Sequence, residues 1–147
     1  RTAWYCAGRK ANVKFPGIKL GMTLTTRDNV TENETYGNHL PDDMEKMMST
    51  PGMVSMITLA SVKLIDPFLP EGFISVGKSS DVVHEHPTLI DSMVEITVTL
   101  VDFDGYHLTI AAEVTDESGV CGRGTHVRSI VNKRWLQLKI ARRIAER

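Results

Sequence analysis

Thr50-Pro51-Gly52-Met53-Val54-Ser55-Met56-Ile57-Thr58-Leu59-Ala60-Ser61-Val62-Lys63-Leu64-Ile65-Asp66-Pro67 is the stretch that decides how this chain is built. Met53, Val54, Ile57, Ala60, Ser61 and Leu64 recur at spacings of three and four, the repeat of one face of a helix. Thr50 reads as the N-cap and Pro51 as the first helical residue, where a missing N–H costs nothing. Pro67 ends the helix near Asp66, since proline removes a donor and clashes with the turn before it. Beyond the turn at Leu69-Pro70-Glu71-Gly72 the apolar period drops to about two, the period of strands. Phe73 to Val76 leads through Gly77 into Ser79 to Glu85. Val94, Ile96, Val98 and Leu100 alternate within Met93 to Asp104. An Asp104-Gly105 turn of hairpin type introduces Tyr106 to Asp116, and Asp116-Glu117-Ser118-Gly119 introduces Val120 to Val131.

Upstream of the helix, Met22 to Val30 is rich in threonine and apolar residues and reads as a first strand. A polar segment, Thr31 to Asp43, breaks it. Asp42 to Met48 is expected to form a short helical turn with Met44, Met47 and Met48 on one side, placed to cover a pocket. The order is therefore one strand, one long helix and at least four mostly antiparallel strands, an α+β arrangement. Residues 1–15 carry Trp4, Tyr5 and Phe15 without a period and read as an N-terminal arm. Residues 133–147, with Trp135 to Ala145 at their centre, read as a C-terminal helix with a basic face.

The 147 residues suit one domain with one core. Hydrophobic residues make up 41%, charged residues 24%, and the net charge is -1, so no bulk attraction to nucleic acid or to a membrane follows. No apolar run approaches the roughly 20 residues that span a bilayer, and no signal-type apolar segment is visible. Cys6 and Cys121 lie far apart and fit no metal or redox spacing. The expectation is two reduced thiols in a cytoplasmic protein. The sequons at Asn29 and Asn33 then read as polar loop residues.

Several places could carry chemistry. His84 ends an apolar strand, where it reads either as a proton carrier that titrates near neutral pH or as a core histidine satisfied by a carbonyl. Gly77 admits a close approach of a ligand to the backbone, or marks a bulge. His84 and His86 share a strand face at a spacing that could start a metal site, but no third ligand is evident and none is expected. His126 and Arg128 share a face in the same way, suited to a salt bridge or to an anionic ligand. Lys133, Arg134, Lys139, Arg142 and Arg143 suit a nucleotide phosphate or plain solubility.

Taken together, Thr50-Pro51-Gly52-Met53-Val54, Gly77, Val83-His84 with Thr88 four residues on, and Gly124-Thr125-His126-Val127-Arg128 resemble the hotdog fold. Within that fold they are similar to the thioesterase branch typified by fluoroacetyl-CoA thioesterase. The resemblance runs from about Gly17 to Val131 and implies a hotdog domain over residues 16–132, a long central helix wrapped by a mostly antiparallel sheet. It implies hydrolysis of a short or compact acyl-CoA, with no cofactor apart from the coenzyme A of the substrate. It implies a homodimer, with a tetramer left open. His84 falls on the family's catalytic histidine, Thr50 on its catalytic threonine and Gly77 on the glycine whose N–H serves the oxyanion hole. Met47, Met53 and Arg128 are the expected substrate contacts.

Thr58 stands where the family has a glutamate, and a neutral hydroxyl cannot stabilise an imidazolium as a carboxylate does. Glu34, Asp43, Glu45 and Glu85 are candidate replacements, though strand alternation sets Glu85 on the face opposite His84. A dimer that holds acyl-CoA without cleaving it, and a hotdog hydratase, stay open beside the hydrolase.

Overall fold

The computed structural model describes residues 15–35 and 40–147. Its elements are β1 (Thr23–Asn29), α1 (Thr50–Ile65), β2 (Phe73–His84), β3 (Met93–Phe103), β4 (His107–Asp116), β5 (Gly119–Asn132) and α2 (Lys133–Ala145). Short 3-10 turns lie at Glu32–Glu34 and Asp66–Phe68. The five strands form one antiparallel sheet in the order β1-β3-β4-β5-β2.

The alternation in β3 and β4 explains why α1 lies across this sheet. Val94, Ile96, Val98 and Leu100 from one strand and Leu108, Ile110 and Val114 from the next are buried on one face. Met53, Met56, Ile57, Ala60 and Leu64 of α1 close on them to form the core. Removing a fully buried side chain such as Ile57 to alanine costs about 2–5 kcal/mol, because transfer and cavity terms add. Gly52 and Gly122 are among the glycines that permit close approaches. A Cβ on Gly52 would lie 2.3 Å from the Glu34 carbonyl, and one on Gly122 would lie 2.3 Å from the Met53 sulfur.

Several expectations need correction. Ser49 caps α1, its Oγ accepting from the Gly52 N–H at 3.0 Å, so Thr50 is the first helical residue and Pro51 the second. Asp42 to Met48 is not helical. Met47 and Met48 make bridges with Leu89 and Thr35, and these partners, distant in sequence, override the local periodicity. Phe15, assigned to the arm, belongs to the core and meets the Phe73 ring edge-on at 5.3 Å. Trp4, Tyr5 and Cys6 lie outside the described residues. Gly77 sits at a bulge, where the register with β5 shifts between Gly77 and Ser79, inside a single 12-residue strand.

Candidate active site

The cleft at the far end of β2 is assembled from three chain segments. The Met48 N–H donates to the Thr88 carbonyl at 2.8 Å and the Ile90 N–H to the Lys46 carbonyl at 3.0 Å, which fastens residues 46–48 beside the chain that leaves β2. Thr88 is itself buried, its hydroxyl donating to Asp116 Oδ2 at 3.0 Å. Strand β2 stops at His84 because the next two N–H groups, of Glu85 and His86, share the Cys121 carbonyl at 2.9 and 3.2 Å. The result is a cleft of about 300 Å³. Leu40, Met47 and Met48 supply apolar wall, and Thr50 and His84 stand in it together.

Thr50 Oγ1 and His84 Nδ1 are 3.1 Å apart. Since Ser49 performs the capping, the Thr50 hydroxyl is left for this contact, at the positive end of the α1 dipole. If Nδ1 accepts, the imidazole draws the hydroxyl proton and the oxygen gains nucleophilic character. If Nδ1 carries the proton, the hydroxyl is oriented to hold water. His84 Nε2 is buried and makes no hydrogen bond among the described residues. Such an orphan marks a site whose valences are not used up by the fold.

The other expected residues lie elsewhere in the chain. Met47 lines the cleft, but Met53 is fully buried in the core against Gly122 and is no substrate contact within one chain. Thr58 lies two turns along α1 from Thr50, its hydroxyl donating to the Val54 carbonyl at 2.8 Å. Among the described residues, none of the four candidate acids makes a hydrogen bond or ion pair with His84. Glu34 is locked in a capping box with Thr31. Glu85 borders the cleft, but its carboxylate lies 3.9 Å from the Arg123 guanidinium. Asp43 and Glu45 are exposed and outside the cleft lining. Cys121 is a free, buried thiol that donates to the Val114 carbonyl at 3.3 Å, and burial raises its pKa above the ordinary value.

Gly77 and Arg128 form a second cluster, seven residues from His84 along β2 and so about 23 Å away at strand rise. Arg128 is buried, with Nε donating to Ser75 Oγ at 2.8 Å and Nη2 to the Ser75 carbonyl at 2.8 Å. Its Nη1 donates to His126 Nε2 at 3.1 Å. Since Nε2 accepts, the His126 proton belongs on Nδ1, which donates to the Ser79 carbonyl at 3.1 Å. Burial, and then the Arg128 charge, hold the His126 pKa below its ordinary value. Ser75 Oγ donates in turn to Asp66 Oδ1 at the end of α1. Sequence reading missed Ser49, Ser75 and Asp66. The first had a signal, a capping residue directly before Thr-Pro; the pairing of the others spans nine residues and a turn and leaves none.

Known proteins share this fold. Residues 30–134 match the family described as fluoroacetyl-CoA-specific thioesterase. The fluoroacetyl-CoA thioesterase of Streptantibioticus cattleyicolor is 25% identical over 129 residues, spanning 84% of this chain and 93% of that protein. A hot-dog-like protein from Thermanaerovibrio acidaminovorans superposes with a TM-score of 0.79 at 27% identity, over 86% of this chain and 93% of its own. A thioesterase superfamily member from Thermus thermophilus gives 0.77 at 24% identity, over 88% and 94%. With a hotdog fold and a family match over more than half its length, the chain belongs to the fluoroacetyl-CoA-specific thioesterase family.

Proposed function

We propose that the protein hydrolyses a short or compact acyl-CoA thioester to the free acid and coenzyme A, with Thr50 and His84 at the reacting carbonyl. The observation that carries this reading is the 3.1 Å approach of Thr50 Oγ1 to His84 Nδ1 in an open cleft, with capping delegated to Ser49. In the reaction His84 takes a proton from the Thr50 hydroxyl or from a water held by it. The Thr50 oxygen or that water attacks the thioester carbon, the C–S bond breaks, and the proton passes to the departing thiolate; where Thr50 is the nucleophile, a water deprotonated by His84 then cleaves the acyl-Thr50 ester, releasing the acid and restoring the hydroxyl. Small acyl groups suit the limited volume between Met47, Met48 and Leu40.

The oxyanion donor in this proposal is the Gly77 N–H of a second copy. Strand β2 is an edge of the sheet, and residues 77–81 are exposed along it. An edge strand is a template for another edge. Antiparallel pairing of β2 with its own copy about a two-fold axis midway between Ser80 and Asp81 sets Gly77 of each chain beside His84 of the other. Val83 of β2, 58% exposed, lies on this same edge strand. Among the described residues nothing demands a glycine at position 77, where a Cβ would make only ordinary contacts of 3.5 Å or more. That indifference favours a requirement imposed from outside the chain.

A ligand-holding role without turnover is the second reading, and the commitment of the Thr58 hydroxyl to the Val54 carbonyl favours it. The two separate in an assay of free thiol released from acetyl-CoA and related short acyl-CoAs. Hydrolysis predicts release that His84→Ala abolishes. Saturable acyl-CoA binding without release, unaltered in His84→Ala, would establish the ligand-holding role instead.

A further inference from the structure

Arg128 is satisfied in an unusual manner. Its three nitrogens bond to Ser75 Oγ, the Ser75 carbonyl and His126 Nε2, and among the described residues none of them bonds to a carboxylate. Asp66 is reached through Ser75, whose hydroxyl accepts from Arg128 Nε and donates to Asp66 Oδ1 and whose backbone N–H donates to Asp66 Oδ2 at 3.4 Å. An interposed hydroxyl fixes the guanidinium plane while leaving its charge only partly neutralised. His126 takes part as a neutral acceptor, so it holds Nη1 in place without adding a counter-charge. Arg128 Nη1 then lies 3.5 Å and His126 Cε1 3.6 Å from the point where a Cβ on Gly77 would stand. Arg128, Ser75 and His126 are all more than nine-tenths buried, so the guanidinium acts through a medium where charge is poorly screened.

We infer that Ser75 is a positioning residue for the reaction: held by Asp66, it sets the Arg128 guanidinium under Gly77, next to the peptide N–H that receives the carbonyl oxygen. The inference rests on the hydrolase reading above. Negative charge develops on that oxygen in the transition state, and a fixed cation beside the amide favours it without reorganisation during the reaction. A direct carboxylate partner would cancel much of this field. A mobile arginine would supply it only part of the time. Ser75 avoids both, because one hydroxyl and one carbonyl of the same residue grip two edges of the guanidinium.

The test compares Ser75→Ala, Ser75→Thr and Asp66→Asn with the wild type in acetyl-CoA hydrolysis, well below each variant's melting temperature. Asp66→Asn keeps an oxygen that can accept from Ser75 but loosens the hold on it, so kcat falls less than in Ser75→Ala, and a larger fall than in Ser75→Ala would overturn the inference. Ser75→Thr retains the hydroxyl and most of the activity. Ser75→Ala lowers kcat on the order of ten- to a hundredfold with KM nearly unchanged, as a loosened reacting geometry does. Should Ser75→Ala fail to fold, Ser75→Cys keeps the volume, weakens the hydrogen bonds and carries the same comparison. Wild-type kcat in folded Ser75→Ala overturns the inference while leaving the hydrolase intact. Absence of His84-dependent release from the wild type overturns the hydrolase reading itself.

Discussion

The two ends of β2 are built on opposite plans. At the Gly77 end, Arg128, Ser75, His126 and Asp66 close a buried network in which each guanidinium nitrogen has a partner. At the His84 end, one contact joins Thr50 to the imidazole, the other ring nitrogen is an orphan, and the cleft is open. A satisfied network maintains a shape, whereas an unsatisfied one retains groups for a ligand. The contrast teaches which residues fix a geometry from the interior and which are left to meet a ligand, although both ends carry a histidine.

The largest expected effect separates them directly. Arg128→Ala takes the buried donor away from His126 Nε2 and the Ser75 carbonyl and costs stability by about 1–3 kcal/mol for each acceptor left unsatisfied, read by chemical denaturation. His84→Ala removes an orphan instead of creating one and costs less than about 1 kcal/mol. Its effect falls on thiol release, which drops by about 10²–10⁴. Equal stability losses in the two variants would erase the distinction.

Gly77→Ala sharpens the comparison by asking what surrounds that end of the strand in the working protein. One chain accommodates the added methyl with ordinary contacts, so secondary structure and melting of the monomer fold are unchanged. If a second copy brings its thioester against this amide, kcat/KM falls by about ten- to a hundredfold. Full activity in Gly77→Ala would remove Gly77 from the site.

His126 gives the smallest effect. Burial and the Arg128 charge hold its folded-state pKa below the ordinary 6.5. Between that lowered value and 6.5 the unfolded chain binds more protons than the folded one, so stability rises with pH through this window. The contribution is complete above 6.5 and is lost as pH falls through the folded pKa. His126→Gln keeps an acceptor for Arg128 without titrating. Denaturation midpoints of the wild type should fall below pH 6.5 more steeply than those of the variant, and parallel curves would contradict the assignment.

Much of this architecture was legible in the residues. The three- and four-residue spacing of Met53 to Leu64 gave α1, and the alternation of Val94 to Leu100 gave β3, because both patterns report burial on one face. His84 and Thr50 were found by resemblance, and the fold brings them together. What escaped is non-local. The methionines of 44–48 look helical until their partners at Thr35 and Leu89 are known. Met53 was expected to meet substrate, yet its place is decided by Gly122, 69 positions away in a strand that makes room for its sulfur. Gly77, Arg128 and His84 looked like one site because a motif has no length, whereas a strand separates the first two from the third by many ångströms. Thr50 was misplaced by one position because two adjacent hydroxyl residues can each cap a helix, and only the hydrogen bond to Gly52 distinguishes them.

That one-residue difference is the basis of the account, and Thr50→Val measures it. The substitution keeps shape and removes the hydroxyl. With Ser49 as the cap and Thr50 as the reacting group, thiol release from a short acyl-CoA falls on the order of a hundredfold or more while the melting temperature holds. A lowered melting temperature with turnover preserved would make Thr50 a structural hydroxyl and contradict the account.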